Sequence, residues 1–171
     1  MPRDTAYLAV MREPLDQLRS AIGYIPRFKA PYQQKIYKFY ANPAAKHFFV
    51  KKQGHVQFSW TRSFMAFSLG FPQNASMDVA KRYLKHIDGV FDLVFLTEYL
   101  TESMLLLKRR MCWPMRDVVF LRLNSSGKKT VIYSKRLKRR SRDWNNIDHL
   151  FYDHFKRKLL HDISNEENFQ E

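Results

Sequence analysis

Phe91 to Asn124 reads FDLVFLTEYLTESMLLLKRRMCWPMRDVVFLRLN, and this stretch decides the fold. Phe91 to Leu96 is a short apolar run rich in β-formers. Thr97-Glu98 ends it, and Thr101 is placed to cap a helix carrying Leu105, Leu106 and Met111 on its buried side. Pro114 stops that helix, and Asp117 leads into a second apolar run, Val118 to Leu123. Two nearly all-apolar strands joined by a helix predict a βαβ unit, and with it an α/β fold whose parallel sheet is covered by helices on both faces.

The 171 residues suffice for one domain with a real core. A hydrophobic content of 45% with 15% aromatics argues against disorder. Lys and Arg number 30 against 16 for Asp and Glu, a formal net charge of +14. That balance favours anionic partners without choosing among nucleic acid, nucleotide phosphates, anionic lipid and acidic glycans. Cys112 is the only cysteine, which rules out an internal disulfide framework. No apolar run is long enough to span a membrane, and MPRDTAYLAVMREP has neither the apolar core nor the cleavage site of a signal peptide. Two sequons, at Asn74 and Asn124, would accept glycans in a secretory protein.

Tyr7 to Met11 reads as a strand, followed by Arg12-Glu13-Pro14. Pro14 suits a first helical position, and Leu15, Leu18, Ala21 and Ile22 form a helical stripe. Arg12 and Ser20, eight residues apart, would then be able to reach one anion near the helix N-terminus. The plainer alternative is an Arg paired with a carboxylate and a surface Ser. Short helices are expected over Gln33–Phe39 and Asn42–Lys51, with nearby aromatics either in the core or paving a sugar site. Asp78 to Ile87 reads as an amphipathic helix capped by Ser76 and ended by Gly89.

Glu98 and Glu102 are four residues apart and can share a helix face. Either one orients or deprotonates a hydroxyl, with Glu98 the better placed directly after a strand, or both solvate the helix start. Ser126 to Thr130 superficially looks like a phosphate loop, but Arg122 and Lys129 stand where that pattern needs Gly and Ser or Thr. A polar turn, with Val131 to Tyr133 pairing back as a strand, is expected instead. KRLKRRSR, Lys135 to Arg142, has six basic residues in eight and reads as a solvated loop, then as an anion contact, and last as a nucleic-acid patch. The last helix is expected over Asp143–Ile163, burying Trp144, Ile147, Leu150, Phe151, Phe155 and Leu159. His149 and His154 are poorly spaced for a metal pair, and no metal site is expected.

Four blocks carry a family resemblance. They are YLAVMREPLDQLRSAIGY, FDLVFLTEYLTESMLLLKRRMCW, DVVFLRLN and RDWNNIDHLFYDHFKRKL. Together, from Tyr7 to about Leu160, they resemble the C-terminal part of the galactose 3-O-sulfotransferases, the cerebroside sulfotransferase and its relatives. The resemblance implies a P-loop-like sulfotransferase fold, truncated at the N-terminus, over residues 1–163, with an acidic tail at 164–171. It further implies sulfonate transfer from PAPS (3′-phosphoadenosine 5′-phosphosulfate) to the 3-hydroxyl of galactose in a glycolipid or glycan, in the Golgi. Arg12 and Ser20 would hold the 3′-phosphate, Arg139 and Arg140 would approach the nucleotide, and Glu98 or Glu102 would serve as catalytic carboxylate. No nucleic-acid partner is implied.

Departures from the family pattern matter as much. Ser68 stands where an Asp is expected before Leu-Gly, and Lys156 replaces an Asn. The Lys-bearing loop for the 5′-phosphosulfate is not among the eleven residues before Arg12, nor is a membrane anchor. The expectation is therefore a fragment of a longer enzyme or a truncated, non-catalytic relative. A basic nucleic-acid-binding module is the reading from another class.

Overall fold

In a computed structural model of the chain, residues 5–24, 50–53, 56–59, 61–73, 75–120 and 133–166 are described. Strand β1 (Leu8–Met11) pairs in parallel with β4 (Leu93–Leu96), with Leu8 opposite Leu93 and Met11 opposite Leu96. All four β4 residues are buried, as an unalternating apolar run requires of a strand covered on both faces. β1 alternates instead, with Ala9 and Met11 inward and Leu8 and Val10 outward. The architecture is mixed α/β, a small two-stranded parallel sheet set among helices.

Helix α1 (Pro14–Tyr24) starts at Pro14 as expected and buries Leu15 and Leu18. Strands β2 (Val50–Gln53) and β3 (Val56–Ser59) form an antiparallel pair. Val50 and Lys51, expected at the end of a helix, are in this ladder because cross-strand hydrogen bonds override a weak local helix signal. The rest of that segment, including Gln33–Phe39, lies outside the described residues, as do both sequon asparagines. Helix α2 (Phe64–Ser68) ends in a turn at Gly70, whose φ of 87° favours glycine. A Cβ there would meet the Tyr83 hydroxyl at 2.9 Å, and that hydroxyl donates to the Leu69 carbonyl.

Helix α3 (Met77–Asp88) is capped by Ser76, whose Oγ accepts the Val79 N–H at 3.4 Å, and stops at Gly89. A 3₁₀ turn, Thr97–Tyr99, follows β4 and runs into α4 (Leu100–Arg110). Thr101 is therefore not the cap: the helix begins one residue earlier, and Thr101 is exposed. The βαβ unit expected over 91–124 is not formed by the described residues. Met115–Asp117 make a 3₁₀ turn, Val118–Phe120 join no strand, and residues 121–123 are outside the described set. β4 instead takes its parallel partner from the start of the chain, and Val118 packs beside α4. Val131 and Ile132 lie outside the described residues, and Tyr133 is in no strand.

The basic run expected as a loop is helix α5 (Lys135–Trp144). Ser134 caps it, Oγ accepting the Leu137 N–H at 3.3 Å, and the buried pair Leu137 and Ser141 supplies an inward stripe. Lys and Arg are good helix formers, so a cationic outer face does not oppose the helix. The chain breaks at Asn145 and restarts as α6 (Asn146–Asn165), so Trp144 closes α5 rather than opening the last helix. Ile147, Phe151, Phe155 and Leu159 form the expected buried face of α6. Phe151 meets Phe71 edge-on at 5.8 Å and stacks with Tyr83 at 6.4 Å. Lys158 binds Asp88 at 2.8 Å and Arg110 binds Asp162 at 2.6 Å, fastening α6 to the α3–β4 turn and to α4. Burial would raise the Asp88 pKa, but the hydrogen bond from Lys158 and the adjacent His154 ring outweigh it and hold the carboxyl below its usual range. α6 runs past Ser164 into the acidic tail as far as Asn165, and Glu166 pairs with Arg109.

Candidate functional site

The parallel pairing fixes where a site forms. Met11 and Leu96 are register partners, so Arg12-Glu13 and Thr97-Glu98 leave the sheet side by side at its carboxyl ends, where parallel sheets place their ligands. The Glu98 Oε1 accepts the Glu13 N–H at 2.5 Å, just ahead of the first residue of α1. A carboxylate thus already occupies that helix N-terminus, where the dipole favours negative charge.

From this corner a cleft of about 290 Å³ runs between α1, α5 and α6. Glu13 and Asp16 line it from α1, Lys138 and Arg142 from α5, and His149, Tyr152, Asp153 and Lys156 from α6, with Tyr133 at its edge. The Tyr133 hydroxyl donates to Asp16 Oδ1 at 2.5 Å, and burial together with that carboxylate pushes its pKa up. Arg142 binds Asp153 at 2.8 Å. Lys156 lies 5.6 Å from the Tyr99 ring centre and 5.7 Å from that of Tyr152, linking the cleft to the residue after Glu98. Burial lifts the Glu13 carboxyl above its ordinary range, with negative Asp16 and Glu98 adding to the effect and backbone N–H donors opposing it. Tyr152 is likewise raised, by burial first and then by Glu98 and Glu13. Three carboxylates, three cations and two phenols in one half-open cleft make a surface rich in donors and acceptors, suited to a polyhydroxylated or phosphorylated ligand.

The expected site residues divide. Arg12 directly follows β1, and Ser20 is the seventh residue of α1, about 9 Å along the axis from Pro14. Both are half-buried, and among the described residues neither side chain has a hydrogen-bond or ion-pair partner. Glu98 stands at the corner, whereas Glu102 is half-buried in the first turn of α4. Arg139 is exposed and Arg140 half-buried on α5; the cleft takes Lys138 and Arg142 of that helix instead. Lys138 and Arg142, four residues apart, were hidden by the reading of 135–142 as a loop. His149, Tyr152, Asp153 and Lys156 follow one another at helical spacing, a polar stripe beside the apolar one that the sequence could have revealed.

A second, mostly buried cluster sits at the α5–α6 elbow. Trp144 Nε1 donates to the Thr61 carbonyl at 2.8 Å, and Asn145 Oδ1 accepts the Ser63 N–H at 2.9 Å. The buried Asp148 accepts the Ala66 N–H at 2.9 Å and the Met65 N–H at 3.3 Å, capping α2. Its pKa is raised to about 6 because burial outweighs those donors. His149 shares a 3.0 Å hydrogen bond with Ser141 and is pushed down to about 4, by burial and then by Arg142. His154 is separate. Its Nε2 is 3.0 Å from Asp88 Oδ1, an ion-pair distance, but out of line for a hydrogen bond. Among the described residues no group of three His, Cys, Asp or Glu side chains is placed to hold a metal, and no helix is long and apolar enough to cross a membrane. Ser68, where the family pattern has Asp, is exposed and donates to the Phe64 carbonyl at 2.9 Å.

Comparison with known proteins agrees with the motifs. Residues 1–168 match the family model described as galactose-3-O-sulfotransferase. Galactose-3-O-sulfotransferase 2 of Homo sapiens is 32% identical over 93% of this chain and 40% of its own length. The protein of the same name from Sus scrofa is 33% identical over 92% of the chain and 40% of its own length. Galactosylceramide sulfotransferase of Bos taurus is 28% identical over 89% of the chain and 37% of its own length. The chain thus spans about 40% of the length of these relatives. No solved structure matches it.

Proposed function

The chain belongs to the galactose-3-O-sulfotransferase family, and from that premise we propose that it supplies part of a site for sulfonate transfer from PAPS to the 3-hydroxyl of a galactose on a glycolipid or glycan. The observation that carries this reading is the corner at the carboxyl ends of β1 and β4, where Arg12 and Glu98 emerge together and Ser20 follows along α1. Arg12 and Ser20 keep their polar groups unengaged among the described residues, as a 3′-phosphate contact requires. The Glu13 N–H does not take part, because Glu98 holds it. PAPS supplies the sulfonate; this chain's contribution is to grip the nucleotide end, present a carboxylate to the acceptor hydroxyl and line the cleft beside it. Glu98 is the stronger base candidate, since it leaves β4 beside Arg12 at this corner, whereas Glu102 lies further along in the first turn of α4. The same reading puts the protein in the Golgi with the P-loop-like fold of sulfotransferases.

Titration with adenosine 3′,5′-bisphosphate tests it. Arg12→Ala removes a charge-assisted contact and should weaken binding by about tenfold or more. Affinity unchanged in that variant overturns the assignment.

A further inference from the structure

The outer face of α5 is a highly charged surface that the cleft does not use up. Lys135, Lys138, Arg139 and Arg142 recur at helical spacing and form one stripe about 10 Å long, flanked on the exposed side of the helix by Arg136. Lys135, Arg136, Lys138 and Arg139 are exposed, and among the described residues none has an ion-pair partner. Arg142 alone is tied, to Asp153. Because Lys138 and Arg142 also line the cleft, the stripe is continuous with it.

The helix has turned its remaining chemistry inward. Leu137 and Ser141 are buried, and Trp144 points its indole N–H at Thr61. The outer face therefore offers no apolar side chain to enter a bilayer and no ring to stack a base. What it offers is a row of cations at a spacing of about 5 to 6 Å, set by the rise of the helix, which suits repeated fixed anions along a linear chain.

We infer that this face binds a sulfated glycan chain whose charged part runs along α5 toward the cleft. The inference adds to the proposed reaction a preference for acceptors that already carry negative charge, and rests on that reading only for the word acceptor. Binding itself is measured with no nucleotide present, so it fails or stands apart from the Arg12 test.

The experiment uses the full chain and a short sulfated oligosaccharide, with its desulfated counterpart, a short RNA duplex and phosphatidylserine vesicles as comparators. The wild type should prefer the sulfated sugar over all three. Its affinity should fall linearly with the logarithm of salt concentration, the slope dropping by about one for each cation removed. The triple variant Lys135→Glu, Arg136→Glu, Arg139→Glu should lose about tenfold or more in affinity. The single changes Arg136→Gln and Arg139→Gln, which leave helix propensity nearly untouched, should each shift the salt slope while the circular dichroism stays the same. Undiminished binding in the triple variant overturns the proposal. Equal or tighter binding of RNA or vesicles overturns the choice of a glycan.

Discussion

The α5–α6 elbow and the cleft one turn further along α6 are built from adjacent residues yet follow opposite rules. At the elbow, Trp144, Asn145 and Asp148 each bond main-chain groups of residues 61–66, the latter two from buried positions. In the cleft, Tyr152, Asp153 and Lys156 meet other side chains of both signs around a half-open space. The family's closing motif therefore serves two ends. Its first half clamps the chain, and its second half faces the cleft that we assign to ligands. Similarity to a motif does not say which residue does which; the partners do.

The clamp gives the largest expected effect. Asp148→Ala strips the acceptors from two buried N–H groups, each costly to leave unpaired, and should lower unfolding free energy by about 3 kcal/mol in denaturant melts. Adenosine bisphosphate affinity, measured where the variant is still folded, should hold. If stability holds and nucleotide binding collapses instead, the division between clamp and cleft is wrong.

Acid sharpens the contrast within the elbow itself. Asp148, raised from 3.8 to about 6, keeps its proton more readily when folded, so its contribution to stability grows as pH falls from 6 toward 4. His149, depressed from 6.5 to about 4, prefers to be neutral when folded. Its contribution is full above 6.5 and is lost as pH falls toward 4. The two neighbours oppose each other and nearly cancel in the wild type. His149→Gln removes one side of that balance. Stability of the variant relative to wild type should rise by about 2 kcal/mol between pH 6.5 and 4, read from melts across that range. Parallel profiles would mean that His149 does not titrate as its burial requires.

Legibility of the sequence followed the same division. Strongly patterned elements read correctly: β4 as an unbroken apolar run, α3 with its Ser76 cap and Gly89 stop, and the Ile147 to Leu159 stripe. Errors came where a long-range partner decided the outcome. Among the described residues β4 pairs with β1, far away in sequence, and Val118–Phe120 of the nearer apolar run join no strand, because pairing depends on what closes beside the strand in space. The six cations of 135–142 masked a helix whose only inward signals are Leu137 and Ser141. Arg12 was singled out by its spacing to Ser20 and by family pattern, and Glu98 by its place directly after a strand, but their shared corner follows only from a register that no local spacing contains.

The smallest expected effect has the opposite sign and tests whether the clamp is purely structural. Ser63 sits at φ 47°, a left-handed conformation that costs a non-glycine residue about 1 kcal/mol, and its buried Oγ has no hydrogen-bond partner among the described residues. Strain and an orphaned hydroxyl at a position held by Asn145 make it the one residue of the elbow that the clamp does not explain. Ser63→Gly removes both penalties at some cost in chain entropy and should stabilise the protein by about 0.5 to 1 kcal/mol; Ser63→Ala, which keeps the strain, should gain less. A Ser63→Gly variant that gains stability with nucleotide and glycan binding intact leaves the elbow structural throughout. One that gains stability but loses either ligand gives the hydroxyl a partner from outside the chain, and the elbow cluster then joins the site.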